Sequence, residues 1–152
     1  MRDGGIYYWQ ESTGLSARAV NITALAGANT SPTIAKQVLI SDRDRHVIAF
    51  GCDSETNPGT QDPLLIRFSN QESLTDWAST ATNTAGDLRI GSGSEIITAV
   101  ETRQQVLVFT DVSLHAMQFL GPPFTFGINT LAENITIASP LAVTAVDRKS
   151  VV

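Results

Sequence analysis

A chain of 152 residues is one domain's worth of sequence, and 42% hydrophobic content is enough to fill a core. Only 16% of the residues are charged, and 10 basic against 15 acidic side chains leave a net charge of −5; with no Lys/Arg cluster anywhere, the electrostatic footprint of a nucleic-acid-binding face is missing. The lone Cys52 excludes an intrachain disulfide or a Cys-based metal site, no apolar run reaches the length of a membrane span, and Met1-Arg2-Asp3-Gly4-Gly5 is not a signal peptide, so the expectation is a soluble protein made in a cytoplasm.

Abundant Thr, Ser, Ala, Gly, Ile and Val suit short strands joined by tight turns better than helices. Residues 4–10, around Ile6-Tyr7-Tyr8-Trp9, predict a strand, and its closeness to the start leads us to expect upstream sequence. A turn follows at 12–16, a weakly alternating half-buried strand at 17–25, and a loop with Pro32 at 27–33. Residues 1–35 are thus expected to be the end of a preceding blade. A first meander is expected over 36–82: strand 38–41, charged turn 42–45, strand 46–52, polar loop 53–63, strand 64–69, turn 70–76, and a short fourth element opening at Trp77. A second is expected over 83–146, with strands at 87–90, 95–102, 105–110, 114–120 and 124–128 and no helical run between them, before the start of a further blade. The fold class is all-β: antiparallel meanders forming about two blades of an incomplete β-propeller.

The plan repeats. Val38, Val47 and Phe50 correspond to Ile97, Val106 and Phe109, each displaced by 59 positions, within the size range of a propeller blade. Phe68 is matched with Phe119, and Trp77 with Phe126, as aromatics closing the two copies. Val47-Ile48-Ala49-Phe50 and Val106-Leu107-Val108-Phe109 are apolar on both faces, as strands of a sheet covered on both sides must be.

No catalytic, cofactor-binding or metal-binding residue is expected. Ser69–Trp77 is an imperfect version of the Asp-box turn of sialidase-like propellers, with Gln71 where the defining Asp belongs. Gly91-Ser92-Gly93-Ser94 lacks the Lys-Ser/Thr that a P-loop needs, and reads as an inter-strand turn. Asp42, Asp44, Asp53, Glu55 and Asp62 reproduce no Ca²⁺ ligand ladder and read as hairpin tips. His46 and His115 lack metal spacing, and the sequons at Asn21 and Asn134 carry little weight without a signal peptide. In Gly121-Pro122-Pro123-Phe124-Thr125-Phe126 the prolines end a strand, and Phe124 and Phe126 are expected to point to one side as core anchors. Residues 147–152, Asp-Arg-Lys-Ser-Val-Val, reverse-translate to the start of a common sequencing adapter and are expected to be a non-native tail.

The run Asp62-Pro63-Leu64-Leu65-Ile66-Arg67-Phe68-Ser69 followed by Trp77 resembles the tail nozzle, or packaged-DNA stabilisation, proteins of short-tailed bacteriophages. So do Asn83–Ile90 and the stretch Ile97–Gly121 with its Val108-Phe109-Thr110-Asp111 and Met117-Gln118-Phe119, and the resemblance covers about residues 4–146. It implies a segment of a longer virion structural protein in the phage tail, made in the bacterial host and without enzymatic activity. Such proteins form a ring, typically a hexamer, between the portal and adaptor and the tail fibres. The ring retains packaged DNA and conducts it at ejection without sequence-specific binding or a small-molecule substrate. The competing expectation is a carbohydrate-binding or glycosidase-type propeller module.

Overall fold

The computed structural model describes residues 3–145; the expected non-native tail lies outside them. The described chain is all-β with antiparallel pairing throughout. A two-stranded ribbon pairs β1 (Tyr7–Tyr8) with β2 (Val20–Asn21). The first four-stranded sheet runs in the order β3 (Gln37–Ser41), β4 (His46–Phe50), β5 (Leu65–Phe68), β6 (Gly86–Arg89). The second comprises β7 (Ile96–Glu101), β8 (Val106–Thr110), β9 (Ser113–Gly121) and β10 (Thr125–Glu133). Each sheet is a meander of sequential neighbours, and no barrel closes.

The order corrects the expected strand assignment in one respect. The strand around Asp87–Arg89 does not open the second meander: it pairs with β5, Leu65 opposite Arg89 and Phe68 opposite Gly86, and closes the first. Trp77 starts no strand. It lies in the β5–β6 connection, which hydrogen bonds bring back to the sheet: Asn70 Oδ1 accepts from the Thr84 N–H and hydroxyl, and Trp77 Nε1 donates to the Leu74 carbonyl. Side-chain bonds across that loop, invisible to strand periodicity, decide where the fourth strand lies. The N-terminal strands also shrink to two residues each, and the 3-10 turn Ile22–Ala24 takes up part of the second predicted strand.

The two sheets stack face to face, with β3 against β7 and β6 near β10. Between them lies one core: Ile48, Phe50, Ile66 and Phe68 from the first sheet meet Ile96, Val106, Val108, Met117 and Phe126 from the second. The opposite face of the first sheet buries Val47, Ala49 and Leu65 under Ile6, Ile22, Ala35 and Trp77. All five residues of β4 are therefore buried, as its two-sided apolar pattern requires. Side chains alternate along a strand, so Val47 and Ala49 face one way and Ile48 and Phe50 the other.

The 59-residue repeat holds on the central strands. Val106 and Val108 face the preceding layer as Val47 and Ala49 do, and Leu107 and Phe109 face outward as Ile48 and Phe50 face the second sheet. It fails elsewhere. Val38 pairs with Ala49, but Val108, the counterpart of Ala49, pairs with Ala99, two residues past Ile97. The ladder runs unbroken from there to Glu101 opposite Val106, so the β7–β8 turn, displaced relative to the β3–β4 turn, sets the offset. Phe68 lies opposite Ile48, but the counterpart of Ile48, Leu107, lies opposite Ala116; Phe119 faces inward against His46 and Phe126 and is not equivalent to Phe68. Phe126 sits inside β10, so its match with loop residue Trp77 fails too.

Gln37 ties the sheets together. Its side-chain amide accepts from the Ala99 N–H at 2.8 Å and the Thr98 hydroxyl at 3.0 Å, and donates to the Ala99 carbonyl at 2.7 Å.

Candidate functional site

The two most deeply buried charges are Asp53, 1% exposed, and Arg67 on β5, 3% exposed. The Arg67 guanidinium donates to the carbonyls of Asp53 and Thr30. The Asp53 carboxylate accepts from the Thr33 hydroxyl and from the N–H groups of Thr33, Ile34 and Gly59. Burial alone would raise the Asp53 pKa, but these four bonds hold it below the usual carboxylate value. Both charges thus fasten loops 30–34 and 53–63 to the first sheet. Beside them is a cleft of about 160 Å³ lined by Ser54, Glu55, Thr56, Arg67, Trp77 and Asp87. Asp87 stands directly opposite Arg67 in the ladder.

Two histidines are buried near the seam between the sheets. His46 on β4 lies against Phe119 and Phe126, with ring centroids 5.8 and 5.2 Å away. Its Nε2 is 3.0 Å from Thr84 Oγ1 and its Nδ1 has no hydrogen-bond partner. The Thr84 hydroxyl donates to Asn70, so His46 Nε2 carries the proton and Nδ1 is a bare acceptor. His115 Nε2 is 2.8 Å from Ser113 Oγ and 3.3 Å from Ser92 Oγ, and its Nδ1 is 3.2 Å from Thr130 Oγ1. Burial lowers both imidazole pKa values, opposed at His46 by the Asp44 backbone and carboxylate and at His115 by Glu133. The Ser113–His115 contact has the residue types of a nucleophile and base. Ser113 is only 1% exposed, however, and no carboxylate orients the ring through Nδ1.

The remaining sequence candidates resolve into structure. Ser94 and Glu95 donate their N–H groups to Asp111, so the Gly91–Ser94 turn is held by its own chain. Ser69 Oγ accepts from the Val47 N–H and Trp77 is buried, which makes the Asp-box-like segment a turn packed on the first sheet. Asp42 and Asp44 come near Glu101, whose carboxyl is pushed up by burial and then by those two charges. Among the described residues no group of three or more His, Cys, Asp or Glu could hold a metal ion. Burial pushes the Cys52 thiol up to about 12, which leaves it a poor nucleophile at neutral pH.

Phe124 and Phe126 do not act as paired anchors. Phe126 is buried in the seam, while Phe124 is 74% exposed at the tip of the β9–β10 hairpin. Thr125 between them takes a positive φ of 59°, which breaks the extended alternation that would have aligned the two rings. With Leu120, 60% exposed, Phe124 makes the hairpin tip an exposed apolar surface. A second apolar row, Leu107 and Phe109, lies half-buried on the outward face of the second sheet. No helix of the described residues is long and apolar enough to cross a membrane. Comparison with known proteins finds no matching family model and no matching curated relative.

Proposed function

We propose that this chain is a non-enzymatic structural segment of a larger β-assembly, a virion tail nozzle around a DNA channel. In that reading it works through ring assembly with copies of itself beside the portal and adaptor, retaining packaged DNA and conducting it at ejection. The observation that carries the reading is the equivalence of faces. Leu107 and Phe109 occupy in the second sheet the positions that Ile48 and Phe50 hold in the first, where a neighbouring sheet covers them fully. A row patterned for such cover but only half-buried is what a scaffold strand leaves for its next layer. The resemblance to nozzle proteins supplies the biological setting, and the net charge of −5 suits a conduit that does not grip DNA.

Two measurements test it. Portal, adaptor and internal virion genes flanking the reading frame on its parent contig support the nozzle, and a neighbourhood without virion genes counts against it. Electron microscopy of the purified parent protein should show rings, and a protein that stays monomeric at every concentration refutes the assembly. A second reading, a carbohydrate-binding module, is favoured by the cleft over Arg67 and Trp77, whose rim of Ser54, Glu55, Thr56 and Asp87 offers hydroxyls and carboxylates that suit a neutral polyol. Saturable glycan binding lost in Asp87→Ala would establish it.

A further inference from the structure

His46 occupies an unusual position for a titratable group. It is fully buried at the start of β4, yet its ring packs on Phe119 and Phe126, a cross-strand pair close to the turn of the β9–β10 hairpin. Phe126 reaches one further aromatic of the first sheet, Phe68, at 4.9 Å. The hairpin strands are nine residues each, against five for β8, so their distal ends extend past the sheet, and around Phe119 and Phe126 these aromatic contacts fasten them to the first sheet. The neutral tautomer fits this place, since Nε2 donates to Thr84 and the bare Nδ1 needs no acceptor.

We propose that His46 is a proton-operated latch: the neutral ring holds the β9–β10 hairpin against the first sheet, and its protonation frees the hairpin. The added proton places a full charge among apolar rings, a cost that the Asp44 backbone and carboxylate offset only in part. That cost is relieved when the hairpin lifts and water enters. The charged groups around the ring are few. The β3–β4 turn brings Asp42, Arg43, Asp44 and Arg45, with Arg45 paired to Glu72. The β7–β8 turn brings Glu101 and Arg103, and β9 and β10 contribute Phe119 and Phe126, which carry no charge. Asp44 favours the charged ring and burial opposes it, with burial the larger effect. The attraction of a cation for an aromatic face also opposes release, so the sign of the titration is itself a test.

Hydrogen exchange read by mass spectrometry on the whole chain, at pH 7.5 and 5.5 and corrected for intrinsic rates, measures hairpin opening. In the wild type, peptides covering 118–128, the part of the hairpin beyond its ladder with β8, should exchange about tenfold faster at pH 5.5, the factor expected when only the open state takes the proton near its ordinary value of about 6.5. Peptides of β4 and β5 should not change. His46→Phe keeps the apolar packing and should bring the ratio to within about twofold of unity, whereas His115→Asn should leave it in place. An equal pH response in His46→Phe, a response abolished by His115→Asn, or loss of protection in all peptides together overturns the latch. Should His46→Phe fail to fold, NMR titration of the wild-type imidazole stands in: a value well below 6.5 supports the proposal, and one at or above it overturns it.

Discussion

Asp53 is a fully buried acid and Glu101 a partly buried one, and they act in opposite directions. Asp53 accepts four hydrogen bonds and keeps its charge below the usual carboxylate range. Its stabilising contribution is therefore full above the unfolded value of about 4 and lost as pH falls below it. Asp53→Asn turns one acceptor oxygen into a donor facing other donors, and should lower stability by about 1–3 kcal/mol in urea denaturation at pH 7. The gap from the wild type should narrow on acidification to pH 3. Glu101 runs the other way: burial and the nearby Asp42 and Asp44 raise its pKa, so its ionised form is disfavoured in the fold. Glu101→Gln should stabilise at pH 7 by a few tenths to about 1 kcal/mol, and the same denaturation at pH 3.5 should show the difference gone.

At the level of elements, the connection between the sheets depends on Gly93. Its φ is +99°, and a Cβ there would come within 2.6 Å of Asp111 Oδ1 and 2.9 Å of Thr110 Oγ1. Gly93→Ala should cost about 1–3 kcal/mol and lower the thermal midpoint by several degrees without altering sheet content by circular dichroism. That connection shows where the sequence was readable and where it was not. The hairpin β3–β4 and the strands β7, β8 and β9 were legible because their apolar residues recur at strand spacing between charged or glycine-rich turns. β6 was placed in the wrong sheet because its cross-strand partners, Leu65 to Phe68, are twenty residues upstream across a loop fixed by Asn70 and Thr84. Of the polar sites, Asp53 looked like a hairpin tip, since nothing local signals that Thr33 will fold against it. Leu107 and Phe109 were legible as apolar, but only the register shows which way they face.

For the molecule as a whole, the two faces of the stack differ. One is closed by the N-terminal segment, and the other carries Leu107 and Phe109 half-buried. If the proposed ring assembly holds, Phe109→Asp should leave the chain folded by circular dichroism and abolish self-association in sedimentation velocity. Unchanged association of a folded variant would remove that face from the proposal. The same stack also has free strand edges, and at β7 Gln37 occupies one of them. Its amide satisfies both peptide groups of Ala99 at once, much as a single residue of an adjoining strand would. A foreign chain trying to extend that border finds the Ala99 position already filled, so the residue that sets the alignment of the layers also works against fibril growth.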